Sequence, residues 1–372
     1  MKIKTLTTYD VYNYGASLQA YALQRYLTMQ GHDVEIIRYQ PDYLSRKYDY
    51  KWVNPESRMS RYILTRVVYR TLKFLQRQTT IGRKRQFDYF NHQILVETNK
   101  LYKTYEDLRD NPPEADLFIV GSDQIWNVFY DAGRDPAFYL DFVRKGLKAS
   151  YAASFSYLNI DEGNKIRISK SLQTFDAVSV REFHGLEILK DMGVEGEWVM
   201  DPVFLLSIDE WKKLMTNFVK TEPYMLIYDF EGNEALKSFA KDYAKKHGLK
   251  LYAIVDTYPL SYVHRNFKKA GPQDFITLIY NCDAFISNSF HGTAFSILFE
   301  KPVFVFNRHR HKVNSRMESL LNLFGLGDCL IDDDESAEKA LEYVFNYQSI
   351  GSTLAAERRK SIKFLDKILS ND

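Results

Sequence analysis

The chain predicts an α/β fold built from two doubly wound, Rossmann-like domains, and three observations carry that prediction. Short apolar stretches alternate with helical patterns from the first residues onwards, the mark of parallel strands joined by crossover helices. At 372 residues the chain exceeds what a single core usually serves. Its 45% hydrophobic and 26% charged residues are ordinary for a globular protein, so no fibrous or disordered class competes.

Residues 3–8 read as the first strand, 9–15 as a loop, and the following stretch as a helix through Leu18, Ala22, Tyr26 and Leu27 that stops near Gly31. VEIIRY (34–39) is the next strand, ended by Pro41. Residues 42–110 break the alternation. They are polar, basic and helical in pattern, and are read as an insertion within the first domain, which spans 1–205. Strands resume at 116–121, 148–156 and 176–182, with a helix reaching Gly193. The second domain, 206–350, carries strands at 224–229, 251–256, 283–287 and 302–306, with helices at 233–247 and 272–280 among those between them. A last helix within 351–372 can pack back on the first domain.

Composition also excludes functions. A net charge of +2 argues against a nucleic-acid partner. Cys282 and Cys329 are too few for a disulfide framework and lack zinc spacing; no His/Asp/Glu cluster has ligand spacing either, so no metal is expected. The N-terminus lacks a signal-peptide pattern and no apolar run approaches the roughly 18 to 20 residues needed to cross a bilayer, so a cytoplasmic protein is expected. Most of the 27 tyrosines and 25 phenylalanines are core filling, although such rings also line sugar sites. Between Ser57 and Phe87 stand nine Lys or Arg residues and no Asp or Glu. At about 100° per residue, Arg66, Arg70, Lys73 and Arg77 form one stripe, while Ile63, Leu64, Val67, Val68, Leu72 and Leu75 occupy much of the other side. Residues 58–85 therefore suit either an anionic membrane surface, making the protein peripheral to the inner face of the membrane, or a helix packed on its own domain.

Tandem doubly wound domains bind ligands between them, at the carboxyl ends of their strands. Four such loops hold unusual residues. In 286–294, His291, Gly292 and Thr293 open a helix whose free N–H groups favour an anion, with Ser289 as a hydroxyl donor or merely the N-cap. Arg181, ending an apolar strand, can grip carboxylate or phosphate bidentately, or simply pair with Glu182. In GSDQIWN (121–127), Asp123 can be an acid or base, Gln124 and Asn127 can hold sugar hydroxyls and Trp126 can stack on a ring; a helix cap would explain Ser122 and Asp123 equally well. Asn13, Tyr14 and Gly15 form a turn placed to touch substrate, but it is not a dinucleotide fingerprint. Arg316, in the polar stretch after 302–306, either completes an anion pocket or belongs to a solvated loop.

Together NYGASLQAYAL (13–23), GSDQIWN (121–127), YAASFS (151–156), SVRE (179–182), DPVFLL (201–206) and SNSFHGTAFSILFEKPVF (287–304) resemble the polysaccharide pyruvyl transferase family. The resemblance implies a GT-B-like fold with the active site in the cleft between its domains. It also implies transfer of pyruvate from phosphoenolpyruvate, as co-substrate and without a cofactor, to a sugar as a ketal. The acceptor it implies is a cell-surface or capsular polysaccharide, or its undecaprenyl-diphosphate-linked precursor. Carried over by position, Arg181 and His291 would bind the donor with Ser289, Gly292, Thr293 and Arg316, and Asn13, Tyr14, Gly15, Gln124, Trp126 and Asn127 would face the acceptor. A histidine is the side chain best suited to proton transfer near neutral pH, which makes His291 the candidate acid or base, and Asp123 or Glu182 would be the second base. Two other functions compete. Nucleotide-sugar transferases of this architecture carry a ribose-binding acid where Phe295 stands, which counts against the first. The second is a carbohydrate-binding protein without catalysis.

Overall fold

The computed structural model describes residues 1–44, 62–157, 159–256, 258–308 and 315–370; the side chains of 75–79 and 315 fall outside that description. The strands are β1 (Lys2–Leu6), β2 (Asp33–Tyr39), β3 (Glu97–Tyr102), β4 (Leu117–Val120), β5 (Leu147–Ser150), β6 (Ser179–Val180), β7 (Glu197–Trp198), β8 (Tyr224–Tyr228), β9 (Lys250–Ile254), β10 (Arg265–Phe267), β11 (Ala284–Ser287), β12 (Val303–Phe306) and β13 (Leu330–Ile331). The helices are α1 (Tyr14–Met29), α2 (Ile63–Tyr89), α3 (Tyr105–Asp110), α4 (Glu162–Leu172), α5 (Phe183–Asp191), α6 (Ile208–Lys212), α7 (Glu234–His247), α8 (Pro272–Asn281), α9 (Phe290–Leu298), α10 (Ser315–Leu323), α11 (Asp334–Leu341) and α12 (Tyr347–Leu369).

Among the described residues the strands form two parallel sheets of Rossmann-like order, β3-β2-β1-β4-β5 and β10-β9-β8-β11-β12-β13, plus the pair β6-β7. Bridges Ala149↔Ala177 and Ala153↔Val180 join that pair to the edge of the first sheet. The central strands are buried along their length, LFIV at β4, YMLIY at β8 and VFVF at β12, as sheets covered on both faces require. The span read from sequence as a helical insertion, 42–110, also contains β3. Its alternating, half-exposed ETNKLY pairs with β2 alone, so the first sheet ends there rather than at β2. The stretch 148–156 is strand only to Ser150; beyond it Ala152 and Ser156 take left-handed φ of 52° and 63°, which turns the chain into the cleft.

One apolar cluster runs from Leu18 and Leu23 through Trp211 to Phe275, Phe295 and Phe364, so both sheets share a packed interior. Helix α1 packs on α8 and α9 across the cleft. Near the end of the chain, α12 returns to the middle of it: Met200 N donates to Ser361 Oγ at 2.9 Å, and Arg358 Nη2 donates to the Leu206 carbonyl at 3.3 Å.

Candidate functional site

Arg181 is buried among three carboxylates, Asp123, Glu182 and Asp201. Strand β6 ends there, and its amide donates to the Ala153 carbonyl at 3.1 Å, which aims the side chain into the interior. Only 1% of that side chain is exposed. Nη1 donates to Asp201 Oδ2 at 2.7 Å, while Asp123 and Glu182 each stand 3.6 Å from other guanidinium nitrogens. Burial works against its charge, but Asp201, Glu182 and Asp123 outweigh it and raise the pKa. The guanidinium is therefore already matched by carboxylates, and the expectation that it grips the donor meets that physical obstacle. Its surroundings suit a keystone that sets the spacing of three acids.

Asp201 is the residue that sequence reasoning missed. It is buried, and burial alone would keep it neutral; His291 and Arg181 instead hold its carboxyl well below the usual range. Oδ2 lies 3.5 Å from His291 Nε2, and Ser122 Oγ is 3.1 Å away. The signal was DPVFLL (201–206), one of the stretches that carry the family resemblance, at the end of the first domain.

His291 sits in the first turn of α9. Ser289 is the N-cap, its Oγ accepting from Gly292 N at 3.3 Å. The imidazole crosses to the other domain and lies on Gly15, where an added Cβ would stand 1.9 Å from Nδ1. Only a glycine at position 15 leaves room for the ring.

Arg316, in α10, is buried but differs from Arg181. Among the described residues no carboxylate lies within 4.0 Å of it, whereas Arg181 has three; buried N–H groups without a hydrogen-bond partner remain on both, at Nε of Arg316 and at Nε and Nη2 of Arg181. Burial, with the neighbouring Arg181, pushes its pKa down to about 10. With its amide oxygen turned inwards, Gln124 accepts from Nη2 and Nη1 at 3.0 and 3.1 Å. The Phe290 ring stands 5.7 Å from this guanidinium and 4.5 Å from that of Arg181. Arg316, His291, Ser289, Asp123, Gln124 and Asn13 line one polar cavity between the domains. Arg308 lines it too, with Nε donating to Glu231 at 3.2 Å.

Other expected contacts fall elsewhere. Tyr14 is core: its ring stacks on Phe275 at 4.5 Å and its hydroxyl donates to the Ala270 carbonyl at 3.0 Å. Trp126 is fully buried, with Nε1 donating to the Phe138 carbonyl, so it cannot stack on a sugar. Asn127 is likewise buried and accepts from Phe129 N at 3.1 Å. The Thr293 hydroxyl turns back to the Ser289 carbonyl at 3.0 Å, away from any ligand. Gly292 serves packing: a Cβ there would meet the Phe285 ring at 2.7 Å. Glu182 is buried and accepts from Ser154 Oγ. Asp123 remains at the cavity, partly exposed and with a left-handed φ of 68°.

The rings that do reach solvent beside the cavity are different ones. Tyr130 is 44% exposed and close enough to Arg308, Arg316 and Asp123 to feel their charges. Phe129, also exposed, lies 4.3 Å from the Tyr157 ring, and Phe230 lines the cavity from the other domain. Among the described residues, no three His, Cys, Asp or Glu side chains gather to hold a metal ion.

Comparison with known proteins adds to this geometry. UDP-GlcNAc 2-epimerase from Methanocaldococcus jannaschii is similar at 12% identity, with 97% of this chain and 99% of that one covered and a TM-score of 0.53. The S. aureus MnaA–UDP co-structure is similar at 12% identity, with 100% and 97% covered and a TM-score of 0.52. Identities this low show the fold alone, which is the GT-B-like pairing of two Rossmann-like domains. A sequence search of curated proteins finds no match. The family model described as polysaccharide pyruvyl transferase matches residues 13–310, which takes in Asn13, Asp123, Arg181, Asp201 and His291. The chain belongs to the polysaccharide pyruvyl transferase family.

Proposed function

We propose that the protein transfers the pyruvyl group of phosphoenolpyruvate to two hydroxyls of a sugar as a ketal, releasing phosphate. The observation that carries this reading is Arg316, a buried cation with no ion pair among the described residues, opening on a polar cavity beside the Asp201–His291 pair. A buried guanidinium left unneutralised is costly unless an anion arrives to match it. Arg316 would take one anionic group of the donor, and the first-turn amides of α9, at Phe290 and His291, would take the other.

The chemistry follows from these positions. A proton adds to the methylene carbon of the donor and makes it a methyl group. The positive charge that develops at the central carbon is met by one sugar hydroxyl, which loses its proton. Phosphate then leaves, carrying the C–O electron pair, and the second hydroxyl closes the ketal as it is deprotonated. Two protons leave the hydroxyls; one balances the methyl group and the other the released phosphate. In this reading His291, oriented by Asp201, delivers the proton to the methylene carbon, and Asp123, which lines the same cavity, accepts a proton from the acceptor hydroxyl. Arg181 is a positioning residue that holds Asp201 and Asp123 at their stations. Phe230, which lines the cavity, and exposed Tyr130, near Arg316 and Asp123, would give the acceptor ring a surface that Trp126 and Tyr14 do not.

In this proposal the acceptor belongs to cell-surface or capsular polysaccharide synthesis and is an undecaprenyl-diphosphate-linked intermediate at the cytoplasmic side of the membrane; the match to the polysaccharide pyruvyl transferase family supports the polysaccharide part of that reading. A nucleotide-sugar donor has less support, since Phe295 is fully buried against Trp211 and leaves no carboxylate for a ribose. Incubation with phosphoenolpyruvate and a panel of lipid-linked sugars tests the reading. Phosphate release with a pyruvyl mass gain on the glycan is expected; transfer from a nucleotide sugar with no use of phosphoenolpyruvate would overturn it.

A further inference from the structure

Helix α2 changes character along its length. Its C-terminal half is anchored in the cleft, where Arg83 is 1% exposed, pairs with Asp256 at 3.0 Å and donates to the Tyr12 carbonyl at 3.0 Å, and where Phe87 is fully buried. Its N-terminal half presents Ile63, Leu64, Val67, Val68, Leu72 and Phe74 to solvent, the first two at 82% and 76% exposure. At about 100° per residue those six cover close to half of the helix circumference, so they form one continuous face. Isolated exposed apolar residues need no explanation, but a contiguous face of this kind marks an interaction surface. Sequence alone allowed this face to be packed on its own domain; among the described residues nothing covers Ile63, Leu64, Val67, Val68 or Leu72.

Charge decides what covers it. Exposed Arg66 and half-buried Arg70 and Lys73 run along one edge of the apolar face. From Ser57 to Phe87 the sequence has nine basic residues and no acid; Arg58, Arg61 and the side chain of Arg77 lie outside the described residues. A second copy seated on this face about a two-fold axis would bring these cations against themselves. No helix among the described residues is long and apolar enough to cross a bilayer, which leaves an in-plane arrangement.

We propose that the N-terminal half of α2 is an in-plane membrane anchor, which lays Ile63–Phe74 into the interface of an anionic bilayer while Arg66, Arg70 and Lys73 reach its headgroups. Ile63 and Arg83 are twenty residues apart on one helix, about 30 Å, so the anchor joins the bilayer rigidly to the cleft. This deepens the lipid-linked acceptor reading but rests on the helix alone, and its test involves no pyruvyl transfer, so either can fail without the other.

The full chain is sedimented at low salt with vesicles of phosphatidylglycerol and phosphatidylcholine, and with phosphatidylcholine alone. Binding to the anionic vesicles only is expected. Changing Arg66, Arg70 and Lys73 together to Gln should weaken it about a hundredfold. Leu64→Glu with Val68→Glu should abolish it with the melting temperature unchanged, because both side chains already face solvent. Equal binding to both vesicles, no binding to either, or binding unaltered in both variants would overturn the proposal. So would lipid-free self-association that Leu64→Glu removes, which would show that a second copy covers the face.

Discussion

Arg316 gives the sharpest test of the anion site, because its burial should make the empty protein less stable than a variant lacking the charge. Its pKa is pushed from the usual arginine range down to about 10 by burial and by the neighbouring Arg181. At roughly 1.4 kcal/mol per unit, this costs the folded state about 3 kcal/mol when the group is charged. The sign follows from linkage. Above about pH 10, up to the usual arginine pKa, the unfolded chain holds the proton and the native state does not, so stability rises with pH in that window. Below it, and hence at neutral pH, the full penalty applies. Arg316→Met keeps most of the volume and removes the charge, so the ligand-free protein should gain about 1–3 kcal/mol in urea denaturation, the range allowing for the lost contacts to Gln124 and Phe290. Phosphoenolpyruvate or phosphate at a hundred times its Kd should stabilise the wild type by about 2.7 kcal/mol and leave the variant unchanged. A variant that loses several kcal/mol yet still melts later with phosphoenolpyruvate would make Arg316 structural and move the anion elsewhere.

Gly15→Ala should cut kcat about a hundredfold, because a methyl 1.9 Å from His291 Nδ1 must displace the ring by more than an ångström. In the Gly15→Ala/His291→Ala double variant the loss should be no larger than for His291→Ala alone, and additive losses would show that Gly15 acts by another route. Asp201→Asn should flatten the acid limb of the stability–pH curve: a carboxyl held below its usual range adds stability above about pH 4 that is lost as pH falls through the folded value, and an unchanged limb in urea melts at pH 2–6 would refute this. Tyr130→Ala should raise the acceptor KM several-fold while calorimetry shows donor affinity unchanged; loss of donor binding instead would put Tyr130 in the anion pocket.

What the sequence revealed, and what it hid, divides along physical lines. Central strands such as YMLIY and VFVF announce themselves because both faces are buried, so nearly every residue must be apolar. Edge strands lack that constraint: β3 is half-exposed, and β10 and β13 are three and two residues long. The loops at strand ends were legible as a site because parallel topology gathers them at one end, and Asp123, His291, Ser289, Asn13, Gln124 and Arg316 do line one cavity. Depth was not legible. GSDQIWN reads as a polar loop with a ring to offer, yet Trp126 is fully buried and the exposed rings are Phe129 and Tyr130, just beyond the motif. Nor does one-dimensional spacing show that Arg181 is matched by Asp201, twenty residues later on another strand end.

The placement of His291 also bears on how the two domains work together. The ring belongs to the second sheet's α9, but its seat is Gly15 on the first helix, and its carboxylate partner Asp201 follows β7 beside the first sheet. Arg181, which holds Asp201, likewise comes from that side. The imidazole and its partner therefore meet only when the two halves are docked. Arg83 reinforces that docking from α2, spanning from the Tyr12 carbonyl on one side to Asp256, just past β9, on the other. Removing Arg83 leaves Asp256 without this buried cation and loosens the joint on which the Asp201–His291 pair depends. A change at Arg83, which lies outside the cavity lining, is thus expected to act on turnover through interdomain geometry, and α2 becomes the element through which attachment at its exposed end is felt in the cleft.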